Sequence, residues 1–335
     1  MYERYLVTGA TGFLGRAIID ALLKQNNTYK IYALVQRGDP LVRKLLPKVT
    51  VIYGDLCDVA SLTYFFSYAN EKTCVIHCAG MVSVASDPGY RIYMINASGT
   101  AAVIRQCEKA HVGKLIYVSS VHAIPEKPHG MTITEDAAFS PELVNGYYAR
   151  TKAIATKMVF DACARGLNAN VVFPSGIIGP GDYGMGSFSY MLSSFINGVL
   201  PFAIKGEYDF VDVRDVADGI VSCVDFGEPG QGYILSGHII SIKDMLNIAK
   251  STLGLNYRPI YLPIGLAKLI APIYEKRSRR LGLPCFFTPY SVSVLKSNCN
   301  FSHEAATAAF GYMPRPYEDS VQDMALWLNA YKHLF

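Results

Sequence analysis

Tyr148 and Lys152 stand four residues apart in Tyr148-Ala149-Arg150-Thr151-Lys152, a spacing that puts both on one face of a helix. A free tyrosine titrates near about 10 and is protonated at neutral pH. A neighbouring ammonium favours the phenolate, and the phenol then becomes a proton donor or acceptor near pH 7. Taken alone, the pair also describes an ordinary solvated helix. Ser119 and Ser120 close an apolar strand pattern, where a hydroxyl can either hydrogen-bond a substrate oxygen or cap the next turn. A third group lies near the start: Thr8-Gly9-Ala10-Thr11-Gly12-Phe13-Leu14-Gly15. In this pattern Gly9 permits a tight turn, Gly12 lets a phosphate approach the backbone, and Gly15 lets a helix pack closely. A helix opening there offers free N–H groups and the positive end of its dipole to a pyrophosphate.

The elements that position these residues follow from periodicity. Tyr5-Leu6-Val7 reads as a buried strand entering the glycines, and Ala17, Ile18, Ala21, Leu22 and Leu23 recur at helical spacing after them. Further strands are expected at 30–35, 49–53, 73–77, 114–118 and from Val171 to Phe173, with helices clearest at 97–110 and 147–165. Alternating strands and helices mean a parallel sheet with right-handed crossovers, whose ligands bind beyond the carboxyl ends of the strands. The expected fold is therefore α/β: a doubly wound parallel sheet of the Rossmann type with a smaller, mixed C-terminal substrate-binding region. The expected division is 1–180 plus 208–240 for the dinucleotide half, and 181–207 plus 241–335 for the substrate half. A helix should open at Ser241 and run to about 254, carrying Leu246, Ile248, Ala249 and Leu253 on its apolar side.

Composition narrows the class. Of 335 residues 51% are apolar and 17% charged, which gives ample core and no disorder signature. The net charge of +4 is spread along the chain and does not favour nucleic acid. The eight cysteines form no CxxC and no zinc spacing, so neither a metal nor a disulfide framework is expected. The chain enters a strand within its first residues, and no apolar run reaches the ~18 residues of a membrane span. A soluble, cytoplasmic monomer or homodimer is expected.

Read together, TGATGFLG (8–15), GDL (54–56), HCAG (77–80), YVSS (117–120), Tyr148-x-x-x-Lys152, PSGIIGPGD (174–182), FVDVRDVA (210–217) and FGYMP (310–314) resemble an extended short-chain dehydrogenase/reductase of the epimerase/dehydratase superfamily. The resemblance is strongest to the dihydroflavonol 4-reductase and 3β-hydroxysteroid dehydrogenase branches. It implies that Ser120 is the catalytic serine, that Tyr148 is the general acid/base, and that Lys152 holds the nicotinamide ribose while depressing the Tyr148 pKa. Tyr147 lacks a partner at +4 and reads as packing. The resemblance also gives Asp55 and Leu56 to the adenine, and Ala79 and Gly80 to the ribose and phosphates. Asn96 falls near the cofactor or caps the helix from Ala97; Pro174 and Ile177 belong to the loop along the nicotinamide. Two positions depart from the pattern. Phe173 stands where many members carry Arg, and His122-Ala123-Ile124-Pro125 replaces the Val-Tyr-Gly of sugar-nucleotide members.

The second strand ends Leu34-Val35-Gln36-Arg37 with no acid before Asp39. NAD enzymes of this architecture grip the ribose diol with such an acid, whereas Arg37 can fork onto a 2′-phosphate. Lys44, or Arg43 beside it, resembles a second phosphate contact. NADP(H) is therefore expected, with NAD(H) left open. Loops after the strands supply Met81, Val82, Ser83, His122, Ile124, Tyr183, Met185, Phe188, Tyr190 and Met191 as pocket candidates. Residues 181–200 contain no Lys or Arg for a diphosphate, so an apolar ring ketone or alcohol, steroid-like or flavonoid-like, is expected. The rival readings are a sugar-nucleotide epimerase or dehydratase with tightly held NAD, and a redox-sensing binding protein. Finally, the proline-broken apolar run 259–274 and the basic cluster at 276–280 read as a helical flap over the pocket, or else as a peripheral contact with anionic membranes.

Overall fold

The computed structural model describes residues 2–26, 28–281 and 286–331; Cys285 lies outside them. The large sheet is built from β1 (Arg4–Thr8), β2 (Lys30–Val35), β3 (Thr50–Tyr53), β4 (Thr73–His77), β5 (Lys114–Val118) and β6 (Ala169–Pro174), joined much later by a seventh strand, residues 232–235. Every pairing is parallel. β4, β5 and β6 are buried along their whole length, as expected of strands covered on both faces.

The crossovers cover both sides. α1 (Phe13–Gln25) lies on one face, while α2 (Val59–Phe66), the continuous helical stretch 91–110 and α5 (Tyr147–Ala164) lie on the other. That stretch comprises α3 (Arg91–Tyr93), a π-type segment Met94–Gly99 and α4 (Thr100–Ala110). The expected helix at 97–110 thus begins six residues earlier, and Asn96 sits inside it rather than capping it.

Beyond β6 the chain makes β7 (Gly176–Ile178), α6 (Ser187–Ile196), β8 (Phe202–Ile204), β9 (Glu207–Asp212), α7 (Val213–Phe226), β10 (Gly232–Leu235), β11 (His238–Ser241) and α8 (Ile242–Leu253). β12 (Ile260–Leu262), α9 (Ile264–Leu281), α10 (Pro289–Val294), α11 (Glu304–Phe310) and α12 (Tyr317–Ala330) complete it. The strand order of the large sheet is β10-β6-β5-β4-β1-β2-β3. Its direction of growth reverses between β1 and β4, the crevice where such sheets bind nucleotides.

A mixed sheet β11-β9-β7 and the parallel pair β12-β8 form the smaller region. Its core is made by α6, α8 and α12 through Leu192, Phe195, Met245, Leu246 and Met324. Ser241 caps α8 by accepting from Asp244 N, as the sequence suggests. The expected boundary at 241 is not clean, because Ala306 and Tyr312 pack with α1 and α7 in the core of the large sheet. The FVDVRDVA motif makes this joint. Asp212 caps α7 and pairs with Arg214, while Asp215 takes the Arg315 guanidinium at 2.7 Å and its backbone N–H at 2.9 Å. At the opposite end of α7, the buried Lys114 ammonium donates to the carbonyls of Cys223, Val224 and Gly227, a cation on the negative end of the helix dipole.

Candidate active site

The corner after β1 needs its glycines. Gly9 has φ +70°, and a β-carbon there would come within 2.7 Å of Ala79 N in the loop after β4. A β-carbon on Gly15 would overlap the Gly9 carbonyl oxygen. Gly12 is the N-cap of α1 and has no side chain with which to cap it. Gly12, Phe13 and Leu14 instead line a cavity of about 830 Å³. An uncapped helix start inside a cavity fits the pyrophosphate of a dinucleotide.

The cavity continues over the carboxyl ends of β4 and β5, lined by Ala79, Gly80, Met81, Ser120, Tyr148 and Lys152. Ser120 caps a short turn by accepting from His122 N at 3.2 Å, and its hydroxyl acts to lower the Tyr148 pKa. Ser119 Oγ is occupied elsewhere, 2.6 Å from Thr156 Oγ1 in the buried joint with α5. Lys152 Nζ donates to Val118 O at 2.8 Å and lies 5.0 Å from the Tyr117 ring centroid. Gly80 leaves room for it, since a β-carbon there would stand 3.3 Å from that ammonium.

Burial pushes the Tyr148 pKa up to about 12, outweighing the lowering effect of the Ser120 hydroxyl. Burial also brings Lys152 down to about 8. The expected depression of Tyr148 by Lys152 is not found: the ammonium is drawn to the β5 carbonyl instead. Tyr147 does not pack either; it is 53% exposed.

Asn96 holds the cofactor-side loop. Its Oδ1 accepts from Met81 N at 2.7 Å, and its Nδ2 donates to Met81 O and Thr151 Oγ1. The π-type turn around it aims this amide at the loop, a common use of such turns. Asp55, Leu56, Pro174 and Ile177 line the cavity.

Arg37 and Lys44 do not. Arg37 is exposed past the end of β2, while Gln36 and Asp39 form the wall. Asp39 Oδ2 accepts from Thr11 Oγ1 at 2.7 Å, so an acid reaches back to the glycine corner through a turn. Lys44 Nζ lies 4.3 Å over the ring of Tyr183, whose other cationic neighbour is Arg16 at 4.4 Å. Tyr183 is thus held between two cations and against Trp327, away from the pocket.

On the substrate side Met81, Val82, Ser83, His122, Phe188 and Met191 line the cavity. Ile124 is instead part of the core beneath α5, and Met185 and Tyr190 are also absent from the wall. The flap expected at 259–280 stands one layer back: the direct wall is Phe202, Phe286, Phe287, Tyr290, Val294 and Leu295, with α9 behind it. Two groups escaped the sequence reading. Tyr208 Oη lies 3.3 Å from His122 Nε2 and Tyr290 Oη 3.5 Å from His122 Nδ1. His122 meets the Tyr148 ring edge-on at 6.0 Å, and burial lowers its pKa to about 4, so it is neutral at physiological pH. Gly146 (φ +93°) is the one local signal for this arrangement, because a β-carbon there would strike the Tyr290 ring.

The profile of the NAD dependent epimerase/dehydratase family matches residues 5–236. The chain is 27% identical to sterol demethylase protein B of Methylococcus capsulatus, over 97% of this chain and 98% of that protein. It is also 27% identical to the mouse sterol-4-alpha-carboxylate 3-dehydrogenase, decarboxylating, over 99% and 92% respectively. Among solved structures, gox2253 superposes with a TM-score of 0.82 at 26% identity, covering 98% of both chains.

Proposed function

Because the chain belongs to the NAD dependent epimerase/dehydratase family, we propose that it is an oxidoreductase interconverting a carbonyl and an alcohol on an apolar, steroid-like ring substrate. The observation that carries this reading is the continuity of one cavity. The Ser120–Tyr148–Lys152 group opens on one side to the uncapped start of α1, and on the other to a wall of Phe188, Met191, Phe202, Tyr208, Phe286 and Tyr290. Among the described residues of the wall the only Lys and Arg are Lys152, in the relay, and Arg91, a sparse set of cations for a sugar diphosphate. Full-length similarity to proteins named for sterol substrates supports the ring class.

A bound nicotinamide would supply or accept the hydride at the reacting carbon. The rest falls to the chain. In reduction, the Tyr148 phenol passes its proton to the substrate oxygen as the C–H bond forms; in oxidation it takes that proton back. Ser120 hydrogen-bonds the same oxygen and holds it beside the phenol. Lys152 and Asn96 shape the loop at Gly80–Met81 where the ribose would lie. A phenol held near 12 is protonated at neutral pH, the state in which it can donate to the substrate oxygen in reduction. The position of Arg37 just past the end of β2 in the sequence is what supports NADP(H) as the preferred partner; its side chain is exposed and off the cavity wall. Asp39 supports the second reading, NAD(H), because a carboxylate on the wall repels a 2′-phosphate and can accept from the ribose diol.

The test is a panel of ring ketones followed by loss of nicotinamide absorbance. Tyr148→Phe should lower kcat by about 10²–10⁴, the span of general acid–base catalysis, with the fold unchanged. Tyr147→Phe should retain most of its activity. Equal turnover by both variants would end the proton-relay reading.

A further inference from the structure

We propose that the outward face of α9 docks onto an anionic lipid surface, with the helix lying in the plane of the interface. The helix runs for 18 residues, about 27 Å at 1.5 Å per residue. Its inward face is the stripe Ala267, Ala271, Glu275 and Ser278, all buried. The opposite face begins apolar, with Leu266, Leu269 and Ile273 exposed at 45%, 73% and 71%. It continues as Lys276, Arg277 and Arg280, exposed on the same side one and two turns later. Large apolar side chains in water on a single helix face mark a contact surface.

Charge says what the surface meets. Residues 264–281 carry five cations, Lys268, Lys276, Arg277, Arg279 and Arg280, and one acid. That acid is turned inward: Glu275 accepts from the Ser86 N–H and the Ser86 hydroxyl, both at 2.7 Å, and pairs with Arg279 at 3.7 Å, which leaves Lys268, Lys276, Arg277 and Arg280 without an acid of this helix to offset them. Exposed apolar side chains beside uncompensated cations match acyl chains beneath anionic headgroups. Among the described residues no helix is long and apolar enough to cross a bilayer, so the contact is interfacial.

Two contacts on the inward face connect α9 to the cavity. Ala267 and Ala271 pack in one cluster with Phe287, which lines the cavity. Glu275 fastens α9 to the loop bearing Met81, Val82, Ser83 and Val84, all on the cavity wall. A docked α9 would hold the apolar end of the pocket one side-chain layer from the lipid. This last step rests on the proposed ring substrate; the docking itself does not.

The test is sedimentation of the full chain with vesicles, without substrate or cofactor, so that it is independent of turnover. Phosphatidylcholine vesicles containing phosphatidylserine should carry the protein down at low salt and release it at high salt. Vesicles of phosphatidylcholine alone should carry down much less. Lys276→Glu with Arg277→Glu and Arg280→Glu should reduce partitioning at least about tenfold, since each basic residue near an anionic surface contributes severalfold. Leu269→Ser with Ile273→Ser should also weaken it, with no change in the protein's solution mass. Protein left in the supernatant with both vesicle types, or variants that sediment like the parent, would overturn the proposal. So would a fall from dimer to monomer mass in the Leu269/Ile273 variant, which would make this face a subunit contact.

Discussion

Arg37 and Asp39 are two residues apart and, on the proposed function, bear on the cofactor choice in opposite directions. Arg37→Ala should weaken NADPH by about 1.5–3 kcal/mol, the worth of a charge-assisted hydrogen bond, and leave NADH nearly unchanged. Asp39→Asn should instead favour NADPH over NADH. The ratio of kcat/KM for the two cofactors across the parent and both variants decides between them, and a ratio that Arg37→Ala leaves unmoved removes Arg37 from the site. At this scale the legible residues were those defined by short spacing. Tyr148 and Lys152, and the glycines of the first corner, fall within about a turn of one another, so their geometry is local, while Ser120 is marked by its place at the end of a strand. Tyr208 and Tyr290 reach His122 from 86 and 168 positions away, and beyond Gly146, which makes room for the Tyr290 ring, no local pattern announces them. Ile124 and Tyr183 show the opposite failure. An apolar or aromatic side chain on a loop has the same composition whether it faces a pocket, a core or a pair of cations.

The first crossover is the element on which the cofactor half depends. Gly15 lies in the first turn of α1 against the carbonyl of Gly9, so Gly15→Ala must force the helix away from the corner. It should cost about 1–3 kcal/mol, as overpacking does, and should weaken the nicotinamide cofactor as well. Gly265, in the first turn of α9, is the control. A β-carbon there meets nothing within 4 Å, so Gly265→Ala should be neutral or stabilise by about 0.4–1 kcal/mol. Thermal melts with and without NAD(P)H separate the two, and equal melts would mean that the corner has slack. Strands and crossovers were readable because parallel strands buried on both faces appear as apolar runs. The turn of helix before residue 97 was not. Asn96, Ser98 and Gly99 are poor helix formers, and what secures this segment is the tertiary bond from Asn96 to Met81.

Across the molecule, two buried imidazoles connect elements far apart in sequence. His77 joins β1 to the start of α4 through Thr8 and Thr100, and His122 joins the turn after β5 to β9 and α10. Burial lowers them to about 3 and about 4 from an ordinary 6.5. Between those values and 6.5 the unfolded chain binds more protons than the folded one. Stability from these groups is therefore complete above 6.5 and is lost as the pH falls toward 4. The melting temperature should be level from pH 7 to 8 and drop steadily below about 6.5. His122→Asn should flatten part of that drop, and an unchanged slope would assign the acid sensitivity elsewhere.

The sheet order carries a further consequence, for synthesis. β6 is flanked by β5 and β10, and β10 comes from residues 232–235. On the ribosome β6 therefore emerges with its outer edge unpaired, and roughly 60 more residues must follow at about 5–20 per second, on the order of 3–12 s. A nascent chain halted in that interval presents Val171, Val172 and Phe173 on an open edge, a template for pairing with its neighbours on a polysome.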